Sequence, residues 1–117
     1  VSRPTCPERT RLLVLRRAGH RCERCGIVKK PLDMSHRKAK GMGGTRLDQS
    51  NPALFNALCR YCHQWVERNP FEARRYGFKV AIGGALETTP VRRWNGWFTL
   101  DSSGSAATYE CSDDGGP

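Results

Sequence analysis

The sequence predicts a small α+β domain stapled by a four-cysteine metal site, and three observations carry that prediction. Four of the six cysteines fall into two C-x-x-C pairs, Cys22/Cys25 and Cys59/Cys62, which is ligand spacing rather than a disulfide framework. Helix start and stop signals alternate along the chain with a turn dipeptide set between aromatic-rich arms. Hydrophobic residues make up 38% of 117 residues, so the core is small and a metal staple compensates for what it lacks.

The stretch CPERTRLLVLRRAG predicts an N-terminal helix over 7–18. Thr5 is the expected cap, Pro7 and Glu8 suit the first turn, and Gly19 the stop. Leu12, Val14 and Leu15 are expected to face inward, with arginines outside. HRCERCGIV follows as a knuckle, in which Gly26 permits the tight turn of a chelating loop. KKPLDMSHR is expected to hold a strand ending at His36, and the glycine-rich, basic KAKGMGGTRLDQSN a loop. A second helix is expected from Cys59 to Arg68, with Leu58, Trp65 and Val66 as buried contacts. Asn69 caps a short third helix, with Pro70 at its first position and Gly77 at its end. FKVAI is a strand candidate, and VRRWNGWFTL a hairpin turning at Asn95-Gly96. The small, polar, acidic DSSGSAATYECSDDGGP reads as a disordered tail. The expected division is a zinc-stapled domain over 1–77, a β extension over 78–100 and an acidic tail over 101–117.

Composition narrows the function. No stretch approaches the ~18 apolar residues of a membrane span, so no membrane partner is expected. The apolar run Leu12–Leu15 between arginines is too short for a secretory leader, which points to the cytoplasm. In that reducing compartment zinc is the expected occupant of the paired cysteines, and Cys6 and Cys111 are expected as free thiols. The net charge of +9 rises to +13 for residues 1–100, because Asp101, Glu110, Asp113 and Asp114 lie beyond them with no Lys or Arg. A basic body of this kind is the electrostatic footprint of a nucleic-acid binder.

The pairs are separated by a 33-residue insert, Gly26 to Leu58, longer than the roughly 15–20 residues of a compact zinc ribbon. Zinc on Cys22, Cys25, Cys59 and Cys62 therefore clamps both ends of a substantial structure and the helix behind it. With Cys62 so engaged, His63 is free to point elsewhere, and Glu67 lies on the same helical face at i+4. Such a pair can present two ligands to one cation, or it can be an ordinary exposed His and Glu. Within the insert stands His36, followed by RKAKGMGG. A phosphodiester-cleaving site needs a base, a divalent cation and cationic groups that hold the backbone. His36, the His63/Glu67 pair, and Arg37, Lys38, Lys40, Arg46 and Arg60 are candidates for these three parts.

CERC, LDMSHRKAKGMGG and SNPALFNALCRYCHQWVE together resemble an HNH endonuclease of the ββα-metal superfamily, closest to the small zinc-stapled proteins of tailed bacteriophages. The resemblance covers roughly residues 6–77. It implies a two-stranded hairpin and Ω-like loop packed on a helix, with His36 as general base, His63 as ligand of Mg²⁺ or Mn²⁺, and the four cysteines on structural zinc. Where the family places a His or Asp ligand immediately before the base, this chain has Ser35. The slot of the family's middle Asn is Leu54, flanked by Asn51 and Asn56, either of which is a candidate for steadying the loop. Asp33 shares the strand face of Ser35 but lies roughly 7 Å along the strand, so Glu67 ranks above it as the compensating ligand.

The function implied is metal-dependent hydrolysis of DNA phosphodiester bonds, leaving 5′-phosphate and 3′-hydroxyl ends, in a host-cell cytoplasm and without a small-molecule cofactor. The rival is an HNH module that has lost catalysis and binds nucleic acid or a phage packaging (terminase) protein. Both readings share the zinc and the basic surface.

Overall fold

The computed structural model describes residues 6–38, 49–81 and 84–110. Helix α1, Glu8–Ala18, starts behind Pro7 at the N-cap and stops at Gly19, which adopts the left-handed conformation with φ 67°. Pro7 makes no side-chain cap bond, and Thr5 lies outside the described residues. The inward stripe is Thr10, Val14, Leu15 and Ala18. Leu12 is 55% exposed, contrary to the sequence expectation, because two residues along a helix is a rotation of about 200° from Val14.

Strand β1, Asp33–His36, pairs antiparallel with β2, Phe55–Leu58, in the register Asp33↔Leu58, Met34↔Ala57, Ser35↔Asn56 and His36↔Phe55. A single 3₁₀ turn, Pro52–Leu54, leads into β2, with the Asn51 side chain accepting from the Ala53 amide at its start. Every residue of β2 is buried, with α1 and helix α2, Arg60–Arg68, both packed against it. Helix α3, Pro70–Arg75, follows α2 with Pro70 at its first position. Val14, Leu15, Leu54, Phe55, Leu58, Val66 and Phe78 form the centre of a core that reaches Val91 and Leu100.

A second sheet has the order β3 (Val91–Arg93), β4 (Gly96–Leu100), β5 (Ala106–Thr108). Its first hairpin turns at Trp94 and Asn95, one residue before the expected dipeptide, because Arg93 pairs with Gly96 and the Trp94 amide donates to the Glu23 carbonyl at 3.0 Å. FKVAI forms no strand over 78–81. Phe78 and Val80 are buried there, and the Val80 amide donates to the Arg37 carbonyl at 2.7 Å. The acidic segment also differs from a disordered tail as far as residue 110. Asp101 Oδ1 accepts from the Ser103 amide (2.9 Å), the Ser103 hydroxyl (2.6 Å) and the Ser105 amide (3.0 Å), and this turn returns the chain as β5. Those bonds hold the Asp101 carboxyl below its ordinary range. Residues 111–117, with Cys111, lie outside the described part.

The junction between α3 and this second sheet depends on Gly77, at φ 83°. A Cβ there would strike the Pro90 carbonyl and lie 2.7 Å from Val91 Cα. Gly77→Ala is expected to lower stability by at least about 1–2 kcal/mol from the backbone alone. A urea unfolding midpoint equal to the parent's would contradict that.

Candidate metal centre and adjoining histidine cleft

The knuckle after α1 is closed by the Cys22 amide on Ile27 O (2.9 Å) and the Gly26 amide on Cys22 O (2.8 Å). It delivers Cys22 and Cys25 to one side of the β2–α2 junction, where Cys59 is the N-cap of α2 and Cys62 stands in its first turn. The four Sγ atoms all lie within 4.8 Å of one another, with Cys25 and Cys59 at 3.9 Å. Four sulfurs at a Zn–S distance of ~2.3 Å in a tetrahedron stand about 3.8 Å apart. The quartet can hold a metal ion such as zinc. The amides of Cys25 and Cys62 point at the sulfurs of Cys22 (3.4 Å) and Cys59 (3.5 Å), and Arg24 Nη1 donates to Cys62 Sγ at 3.3 Å. Such donors favour thiolates, the form that binds metal. A hydrogen bond from Cys62 holds the Cys22 thiol down at about 4, and the same bond, with burial, pushes Cys62 up.

One turn into α2, His63 faces β1. Its Nδ1 lies 2.8 Å from Asp33 Oδ2, and its Nε2 lies 3.8 Å from Glu67 Oε2. Partial burial works against ionisation of Asp33, but hydrogen bonds and charge from His63 and Arg60 outweigh it and hold the carboxyl below its usual range. An ionised Asp33 accepts a hydrogen bond from Nδ1–H, and in that neutral tautomer Nε2 carries the lone pair, 3.8 Å from Glu67 Oε2. A carboxylate on one imidazole nitrogen and a second oxygen ligand near the other is how proteins orient histidine for a metal. These residues, with Arg60, Gln64 and Arg68, line an open cleft of about 470 Å³.

His36 ends β1 half-buried, against the Phe55 ring at 4.7 Å, with Nε2 at 3.0 Å from Gln49 Oε1. With the amide oxygen toward the ring, Nε2 carries the proton and Nδ1 the basic lone pair. Lys79 joins this residue to the cleft, its Nζ donating to the His36 carbonyl at 3.0 Å and to Glu67 Oε2 at 3.2 Å.

The remaining candidates are placed less favourably. Ser35 is 1% exposed, its hydroxyl has no partner among the described residues, and it does not line the cleft, so it is not positioned as a cation ligand. In register it faces Asn56, a fully buried residue whose Nδ2 donates to Glu23 Oε1 at 3.0 Å. Asn51 caps the 3₁₀ turn and reaches Glu87 at 3.3 Å, and Leu54 is buried in the core. Asn51 thus holds backbone in place, Asn56 holds the buried Glu23 carboxylate, and neither lines the His63 cleft.

Arg37 overturns its assignment as a phosphate contact. It is fully buried and donates to the carbonyls of Gly77, Ala53, Leu86 and Thr89 at 2.9–3.0 Å. Desolvation lowers its pKa to about 10, which leaves it charged at neutral pH. Its task is to tie the segment after α3 to the first hairpin. Arg60 is 70% exposed and pairs with Asp33 at 3.0 Å, Lys38 is half-buried, and Lys40 and Arg46 lie outside the described residues.

Asp33, Gln49 and Lys79 are the residues that sequence reasoning undervalued. For Asp33 the signal was present: in an antiparallel pair the start of β1 lies beside the end of β2, where α2 begins and His63 projects. No such local signal exists for Lys79, which is 43 residues from His36. Comparison with family models, with curated proteins and with solved structures returns no match.

Proposed function

We propose that the chain is a metal-dependent DNA endonuclease of the ββα-metal (HNH) type, with structural zinc on the cysteine quartet. The observation that carries this reading is the cleft at the β1–β2–α2 unit, where a carboxylate-oriented His63 stands beside Glu67 and Lys79 links Glu67 to His36. His63 Nε2 and Glu67 would hold Mg²⁺ or Mn²⁺, with Asp33 fixing the imidazole. When bound, that cation neutralises charge developing on the phosphate and the departing oxygen. His36, held by Gln49, accepts a proton from the attacking water. Lys79 and Arg60 present positive charge to the phosphodiester backbone. DNA as the partner is supported by the +13 charge of residues 1–100.

A second reading is favoured by three observations: the buried Ser35, the buried Leu54, and an ammonium already seated 3.2 Å from Glu67. It is a zinc module that has lost catalysis and binds nucleic acid or a phage packaging protein. A supercoiled-plasmid assay with Mg²⁺ or Mn²⁺ separates them. The nuclease cuts in a cation-dependent way, His36→Ala slows cutting by roughly 10²–10⁴-fold, and zinc content is unchanged. Asp33→Asn and Glu67→Gln raise the cation concentration needed by roughly 10–100-fold. Cutting that survives His36→Ala excludes this site, and an inert parent that still binds DNA establishes the second reading.

A further inference from the structure

On the side of α2 away from the His63 cleft, the structure holds a second open cavity, of about 720 Å³, walled by Trp65, Tyr76 and Trp94 over a floor of Phe78. We infer that this groove is a binding site for unpaired bases of single-stranded nucleic acid. The site does not depend on the nuclease reading; only its consequence for substrate choice does.

The rings are prepared as stacking surfaces. Trp94 is 44% exposed at the tip of the β3–β4 turn and is seated on the zinc knuckle, where a Cβ on Gly26 would come within 2.9 Å of its ring. The Arg24 guanidinium lies 3.8 Å from the centroid of Trp65, and Arg21 lies 5.3 Å from that of Trp94. Tyr76 stacks on Trp97 at 6.3 Å, with Arg75 at 5.9 Å from the Tyr76 ring. A planar guanidinium on an aromatic ring is itself a face on which a base can stack.

Charge selects the same occupant. Arg24 and Arg92 line the groove, Arg21 and Arg75 flank its rings, and the carboxylate in the lining is Glu72. The Arg92 guanidinium is exposed and has no hydrogen-bond or ion-pair partner among the described residues. An apolar peptide would gain nothing from this surplus, whereas a phosphodiester chain with its bases turned inward satisfies both features. A duplex cannot, since its base faces are covered by their neighbours. The cavity is of the size that holds small ligands, about 300–1,000 Å³, and so admits a few bases.

Trp65 and His63 leave α2 two residues apart on opposite sides. A strand in the groove therefore lies about one helix width, ~10–12 Å, from the cleft. If the cleft cuts, its preferred substrate carries an unpaired stretch beside the cleavage point.

The test reads binding without cutting. Fluorescence anisotropy of a labelled thymidine oligomer of about 12 nucleotides, and of a duplex of equal length, is measured in zinc-containing buffer free of Mg²⁺ and Mn²⁺. Trp94→Ala is expected to weaken single-strand binding about 10-fold and duplex binding by less than about 2-fold. Arg92→Glu, an exposed change that leaves the knuckle contact intact, should show the same selectivity and carries the test if Trp94→Ala fails to fold. Arg9→Ala, an exposed change on α1 outside both cavities, should alter single-strand binding by less than about 2-fold. Unchanged single-strand affinity in both groove variants overturns the inference, as it would for a groove that takes a protein. Equal losses for single strand and duplex also overturn it, because the groove is then only basic surface.

Discussion

Cys59→Ser is expected to abolish cooperative folding. Cys59 holds three places at once: a member of the quartet that can hold a metal, the N-cap of α2 through the Cys62 amide, and the junction between β2 and that helix. Structural zinc contributes on the order of 10 kcal/mol in small peptides. Domains of this size are stable by about 5–15 kcal/mol in total. Losing one of four thiolates therefore removes a share comparable with the whole. The parent should contain one zinc per chain and unfold in a single transition, and a strong chelator should reproduce the behaviour of the variant. Circular dichroism and elemental analysis read both. A chelated chain with parental unfolding would remove the metal from this account.

Glu23→Gln is expected to cost about 3–5 kcal/mol, the usual penalty for removing one partner of a buried ion pair. Glu23 stands in sequence between Cys22 and Cys25, fully buried, and every polar atom it has is engaged. Its carboxylate takes Arg17 at 2.8 and 2.9 Å, Asn56 at 3.0 Å and the Ala57 amide at 2.9 Å, with Arg93 at 3.4 Å. Its own amide and carbonyl bond Ala57 and Trp94. The amide side chain of Gln keeps the shape but leaves Arg17 and Arg93, 1% and 6% exposed, without a counter-charge.

The same group sets a pH dependence. Burial opposes its ionisation, but Arg17, Arg93 and Asn56 outweigh that and hold the carboxyl below its ordinary value of 4.5. A carboxyl depressed in the folded state stabilises above its unfolded pKa and loses that contribution as pH falls through the folded one. The stability gap between parent and Glu23→Gln should be constant above about pH 5 and close below about 4.5. Urea titrations across that range decide it, and a gap that persists unchanged at pH 3 would show that the charge is not what matters.

Where the arrangement was readable in advance, the information was local. Two C-x-x-C pairs and the glycine after the first announced a chelating knuckle. A left-handed stop at Gly19, Pro70 opening α3 and a strand ending at His36 each follow from a few neighbouring residues, and the structure has all of them. The errors also have local causes. Asn95-Gly96 is a strong turn signal, yet the turn moved one residue because the Trp94 amide found the Glu23 carbonyl, 71 residues away in sequence. The acidic segment looked too polar to order, but one Asp101 carboxylate collecting three donors built a turn, and β4 offered an edge for β5.

By itself the sequence determined the cysteine quartet, the helices and the basic character, since cysteine spacing, caps and net charge are properties of neighbouring residues or of composition. Only the tertiary structure decided which charges are surface and which are framework. Arg37 and Arg60 are the same residue type in similarly polar stretches, yet one is sealed among four carbonyls and the other lies in the cleft. Glu23 and Glu67 differ in the same way, one buried between arginines and the other beside His63. A charge can be buried only where distant segments bring enough partners to replace its water, and those partners come from Gly77, Leu86, Thr89 and Arg93, which only folding brings near.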